Sequence, residues 1–213
     1  MIILKSIKRI NIIFRILFII IFITGCSLDR TQTQSNKYYY LNPNNKEINI
    51  SRIAIVELGN DSGYSQISAD MTNALFESLQ KKQLFGLTIV RKRDKLWKSL
   101  QLDSDTIYSL KIMNSIHEMI NCDGVLVGTI TEFKPYPHMV IGLRLKLMDL
   151  KDGQLIWAIE QVWNSSDKNT QKRIKNYLEN EKDSSQISLN KRLAIISPLE
   201  FIKYISYETA ETL

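Results

Sequence analysis

The chain has 213 residues, with 28 lysines and arginines against 22 aspartates and glutamates, for a net charge of +6. Four of those cations, Lys5, Lys8, Arg9 and Arg15, fall within the first fifteen positions, and without residues 1–25 the count is 24 against 22. What remains is too evenly balanced to give the electrostatic footprint of a nucleic-acid binder, so no nucleic-acid partner is expected.

The amino-terminal stretch reads as an export signal. Every residue from Ile16 to Ile23 is apolar. Eight residues make roughly 12 Å of helix at about 1.5 Å each, against a hydrocarbon core of about 30 Å, so the run is short for a membrane span. A cationic segment followed by a short apolar one is the layout of a secretory signal peptide, here residues 1–25. At its end the order Ile23-Thr24-Gly25-Cys26 resembles the lipobox of bacterial lipoproteins. The resemblance implies a diacylglyceryl group on the Cys26 sulfur and cleavage between Gly25 and Cys26, so that the membrane is reached through lipid. The competing reading is an uncleaved anchor with Cys26 buried at its end. After cleavage 188 residues remain, enough for one domain with a sizeable core. Cys122 is then the only other cysteine, so acylation of Cys26 leaves no internal disulfide.

Residues 26–46 are poor in aliphatics and rich in Asn, Gln, Thr and Ser, and read as a tether between lipid and domain. Tyr38-Tyr39-Tyr40 interrupts that composition. Two readings stand: an edge strand that begins the domain, or an aromatic contact for a partner.

From residue 47 to 213 a single domain is expected. Ile53 to Val56 is a short β-branched run closed by Gly59-Asn60, a buried strand. Ile67, Met71, Ala74, Leu75 and Leu79 share one helical face, with Asp70 and Glu77 on the other. Leu87 to Val90 is a second strand after Gly86. A short helix follows at Asp94 to Leu100. Ile107, Leu110, Met113, Ile116 and Ile120 then mark an amphipathic helix, with Asp103 or Asp105 as its expected N-cap. Val125 to Phe133 is a long strand, and Pro135 and Pro137 bound the connection after it. Leu143, Leu145 and Leu147 alternate with Arg144 and Lys146, which puts one face in the core and the other in water. Lys151-Asp152-Gly153 is a hairpin signal, and Leu155 to Val162 returns as a third meander strand. A polar helix is expected over Lys168 to Glu179. "SPLEF" at Ser197 reads as a capping box with Pro198 at the first helical position and Glu200 three after the cap. The last helix presents Phe201, Ile202, Ile205 and Thr209 inward and ends near Leu213. The expected class is α/β: a single mixed sheet with helices packed against it, ending in an antiparallel meander and a C-terminal helix.

The run "RIAIVELGNDSG", then "LTIVRKRD", "CDGVLVGTITEF" and "LKLMDLKDGQLIWAIE", resembles the superfamily of the curli-secretion lipoprotein and the penicillin-binding-protein-activator lipoproteins (CsgG/LpoB type). The matching positions are Ile53 to Val56, Val90 and Arg91, Cys122 to Thr129, and Asp149 to Trp157. The resemblance implies a non-catalytic, membrane-anchored lipoprotein of the cell envelope that binds another envelope protein or its own copies. The alternative it implies is a subunit of an oligomeric outer-membrane export assembly. The paired membrane hairpins of the curli-secretion member have no counterpart here. By resemblance to proteobacterial lipoproteins, Ser27 after Cys26, with Asp29 further on, implies sorting to the outer membrane, facing the periplasm.

No enzyme is expected. Of the two histidines, His117 sits on the amphipathic helix one position after Ile116 and reads as an interior or flank histidine. His138 is a loop residue with no cysteine or acidic cluster near it in sequence, and no nucleophile, metal-ligand or phosphate-loop pattern occurs. Catalytic residues, cofactor and metal are therefore each expected to be none. Asp103 and Asp105 are better explained as caps than as an acid/base pair. Cys122 reads as a small buried hydrophobe. Trp157 and Trp163 could line a ligand surface, although aromatic packing beneath helices explains them more simply.

Overall fold

Ile53, Ala54, Ile55 and Val56 are all almost fully buried, and the reason is their position on an inner strand of a sheet covered on both faces. The computed structural model describes residues 39–43, 50–100, 109–181 and 197–213, all within one compact unit, Lys37–Leu213. In chain order the strands are β1 (Tyr39–Leu41), β2 (Arg52–Val56), β3 (Gly59–Asn60), β4 (Gly86–Val90), β5 (Gly124–Lys134), β6 (Val140–Asp149) and β7 (Leu155–Asn164). The helices are α1 (Ile67–Lys82), α2 (Lys95–Leu100), α3 (Leu110–Ile120), α4 (Lys168–Glu181) and α5 (Pro198–Ala210). The strands form one mixed sheet in the order β1-β7-β6-β5-β2-β4, with β3 pairing separately to β5. This is the expected α/β class.

Strand β2 lies between β4 and β5 and is parallel to both. With neighbours on each edge and helices over each face it cannot alternate, hence its unbroken apolar sequence. One core lies under α1, α4 and α5 and contains Ile55, Met71, Leu75, Leu126, Leu145 and Trp157. Each such side chain contributes roughly 1.5–3 kcal/mol on burial. A second core lies on the opposite face, where Val56, Val125 and Val127 meet Met113 and Ile116 of α3. Strands β5, β6 and β7 form the antiparallel meander. Its second turn is closed where Gly153, at φ 77°, donates its N–H to the Asp149 carbonyl at 3.0 Å. That left-handed conformation suits glycine because it has no Cβ.

The helix expected from Ile107 starts instead at Leu110, and its N-cap is Ser109 rather than Asp103 or Asp105. The Ser109 hydroxyl accepts from the Ile112 N–H at 3.4 Å, so a closer polar side chain takes the capping role. Asp103, Asp105 and Ile107 lie outside the described residues. Ser197 is the N-cap of α5 and Pro198 follows it, but the Ser197 side chain makes no capping hydrogen bond. Glu200 instead pairs with Lys203 at 2.9 Å, which draws its carboxylate away from the cap. Gly59-Asn60, expected only to close a strand, forms the short strand β3 alongside Thr129 and Ile130.

Candidate functional site

The meander has one face under helices and one without. Leu143, Leu145 and Leu147 point into the first core, while Arg144 and Lys146 between them stay partly exposed. Cross-strand register carries this second face outward: Val127 pairs with Lys146, Lys146 with Ala158, and Ala158 with Tyr40. Partners in register share a face, so the row begins beneath α3 at Val127 and continues beyond the helices. The neighbouring row holds Arg144 and Glu160, joined at 2.9 Å. The hydrogen bond from Arg144 holds the Glu160 carboxyl below its ordinary range. Val162, 56% exposed, and Tyr40, 46% exposed, add apolar area. Among the described residues no helix covers this surface, which mixes an ion pair, a lysine and two large apolar groups.

The covered face is fastened by buried polar groups. Trp163 donates its indole N–H to Glu208 Oε2 at 2.6 Å, and Arg173 of α4 approaches Glu208 Oε1 at 2.7 Å. Arg173 also donates to the Tyr204 hydroxyl at 3.2 Å. Burial, with the Glu208 charge beside it, pushes the Tyr204 phenol upward, so it stays protonated. Trp157 donates to Thr212 Oγ1 at 3.1 Å. Both tryptophans thus pack beneath α5 and do not form a ligand surface. Glu208 and Arg173 went unremarked in the sequence; the available signal was that a buried indole N–H demands an acceptor. At the start of α4, Asp167 accepts from the Thr170 N–H at 2.8 Å and is held below its usual value by it.

The remaining sequence candidates do not converge. Gly25 and Cys26 lie outside the described residues, as do Ser27 and Asp29. His117 donates from Nδ1 to the Cys122 carbonyl at 2.6 Å, a contact that ties the end of α3 to the loop before β5. His138 is exposed on the β5–β6 connection. Cys122 is 2% exposed, and burial pushes its thiol up to about 11, as befits a core residue. Tyr39 to Leu41 forms an edge strand against β7, within the stretch expected to be tether, and leaves its side chains about half exposed. Among the described residues no group of three or more His, Cys, Asp or Glu is placed to hold a metal, and no helix is long and apolar enough to cross a membrane.

By sequence, no family model and no curated protein matches the chain. By structure, it is similar to the C-terminal domain of LpoB from Salmonella enterica, at 18% identity over 55% of this chain and 85% of that one, with a TM-score of 0.41. A lipoprotein of Neisseria meningitidis matches at 13% identity over 68% of this chain and 94% of its own, TM-score 0.41. A hypothetical protein from Chlamydia trachomatis matches at 9% identity over 76% and 94%, TM-score 0.46. The activator lipoproteins of the sequence resemblance are therefore among the matched structures. At these values nothing about role follows from them.

Proposed function

We propose that the chain is a lipid-anchored lipoprotein of the outer membrane, facing the periplasm, that works by binding another envelope protein rather than by catalysis. The observation that carries the reading is the uncovered meander face, where Tyr40, Lys146, Val162 and the Arg144–Glu160 pair share one side of the sheet. A face that is wet on one side and rigidly backed by a core on the other suits reversible recognition: the apolar groups supply contact area and the charges supply register. The lipobox supplies the anchor, and acylated Cys26 would hold the domain at the membrane.

Two measurements test this. Labelling cells with radioactive palmitate should mark the protein and leave Cys26→Ala unlabelled; label surviving that change would refute the anchor. A photo-crosslinking residue at Val162 should trap a different envelope protein, whereas one at Gln80, exposed on α1, should not. Crosslinks from Val162 only to other copies of the chain, with a discrete ring by light scattering, would replace the adaptor reading with the export-assembly one.

A further inference from the structure

The two ends of the meander present different chemistry. At one end the connection between β5 and β6 carries Tyr136, 82% exposed, with Pro135 and Pro137 on either side of it. Proline fixes its own φ, so the pair stiffens the backbone around the ring. The base of the connection is fastened too. The Met139 N–H donates to Ser165 Oγ at 3.0 Å, and the Met139 carbonyl accepts from the Ser165 N–H at 2.8 Å. On the β5 side, Phe133 meets Tyr64 edge to face at 5.1 Å between centroids. A large ring is thus held out toward solvent on a firm support. The β6–β7 turn, at the opposite end of the sheet, is Lys151-Asp152-Gly153, with no aromatic ring.

The register shows that the chain enters the domain from the Tyr136 end. Lys134 pairs with Val140 and Val140 with Asn164, so the β5–β6 connection and the end of β7 are level. Strand β1 runs antiparallel to β7, with Tyr39 opposite Ile159 and Leu41 opposite Trp157. Followed backwards from Tyr39, the strand direction leads toward the level of Asn164 and away from the Lys151 turn. Ile159 is five positions before Asn164, about 17 Å at about 3.4 Å per residue. Tyr39 lies thirteen positions after Cys26, a covalent reach of at most about 45 Å. That reach covers the distance with room for Cys26 to lie in a bilayer against which Tyr136 rests. To face the Lys151 turn to the same bilayer, the chain would have to double back along the sheet.

Tyrosine suits such a position. Its ring is apolar and its hydroxyl polar, the combination that collects where headgroups meet acyl chains. Lys134 beside it has a long apolar stem that leaves its ammonium in water. Charges of both signs meet at this end, Glu132 and Asp167 against Lys134 and Lys168, so attraction to anionic lipid is not the driving force. A short tether keeps the ring at an effective concentration on the order of millimolar, so weak insertion suffices. We propose that the β5–β6 tip is a membrane-contact site, with Tyr136 entering the interface of the bilayer that holds the lipid on Cys26. The inference rests on the anchor proposed above. It stands the strands steeply to the membrane and turns the meander face sideways, where a partner in the same compartment can reach it.

The test uses the full lipidated chain in phosphatidylcholine vesicles with radiolabelled acyl chains. A benzophenone side chain takes the place of Tyr136 in one sample and of Lys151 in another. Flotation reports the anchor first, and both proteins should rise with the vesicles. Strand β6 has ten residues and sets the two tips about 34 Å apart, so on illumination label from position 136 should exceed label from position 151 by about tenfold. High salt should not change the ratio. With the probe at the exposed His138 instead, Tyr136→Asp should cut the label several-fold without affecting flotation. Flotation with equal label from positions 136 and 151 overturns the proposal and leaves the anchor standing. So does a crosslink from position 136 to a second copy of the chain in place of lipid, or label at His138 that survives Tyr136→Asp. Failure to float refutes the anchor, and the membrane contact with it.

Discussion

Strands β4, β2 and β5 run parallel with helices over both faces, whereas β5, β6, β7 and β1 run antiparallel with α5 and α4 over one face only. Inside the parallel half, β2 and the first half of β5 have both faces covered. Ala54, Val56, Val125 and Val127 on one side and Ile53, Ile55 and Leu126 on the other are all committed to core. The antiparallel half spends one face on the core and turns the other toward water, so Arg144 and Lys146 stay partly exposed and Glu160 and Val162 exposed. The halves also treat ionisable groups differently. Around Trp163 the buried carboxylate of Glu208 is matched by an indole N–H and a guanidinium. In the second core, Cys122 is kept neutral and needs no ionic partner. Among the described residues, a sheet built this way has its uncovered face in the antiparallel half.

The largest effect should come from breaking the ionic fastening of the antiparallel half. Glu208→Ala leaves the Trp163 N–H without its acceptor and Arg173 without its carboxylate in a largely buried setting, at a cost of about 3 kcal/mol. Glu208→Gln should cost less, since an amide oxygen can still accept from Trp163. Urea denaturation of both variants measures the difference. A loss below about 1 kcal/mol for the alanine variant would mean that water replaces the carboxylate, and that the two halves are not distinguished in this way.

Next in size is the contrast between the two faces of β6. Leu145 is fully buried, so Leu145→Ala should destabilise by about 2–5 kcal/mol. Lys146, one position on and facing out, should tolerate alanine within about 0.5 kcal/mol. Equal losses would mean that the outer face is covered in the assembled protein, and the comparison between the halves would fail at its central point.

That contrast was legible in the sequence because a period of two leaves a mark: Leu143, Leu145 and Leu147 against Arg144 and Lys146 fix the buried face from composition alone. The parallel strands were legible for the opposite reason, as short apolar runs with no alternation. Short pairings were harder. Two residues of β3 carry no periodicity, so Gly59-Asn60 looked like punctuation although the chain uses it to extend pairing along β5. Capping was read correctly in kind and wrongly in place at α3, because Asp103, Asp105 and Ser109 are all competent caps and only tertiary packing decides among them. The depression between residues 61–63 and 131–134 was illegible for a more general reason. Asp61 and Glu132 are 71 positions apart, and only the pairing of β3 with β5 brings their segments together.

The smallest predicted effect belongs to the parallel half and appears only in alkali. Desolvation at the edge of the second core, helped by the negative charge of Asp123 and opposed by a hydrogen bond involving Ala54, raises the Cys122 thiol from an ordinary 9.0 to about 11. In the unfolded chain the thiol loses its proton near the ordinary value, while in the folded chain it keeps it until the higher one. The contribution of this group to stability is therefore present in full below the unfolded value and is lost as pH rises through the folded one. Cys122→Ala removes the ionisable group altogether. The other ionisable groups are common to both proteins, so the difference between the two pH profiles isolates the thiol. Urea midpoints of the unaltered chain should decline more steeply between pH 9.0 and about 11 than those of Cys122→Ala, whatever their separation at neutral pH. Parallel profiles would show that the thiol is solvated in the native protein, and that this end of the parallel half is not closed over as its packing indicates.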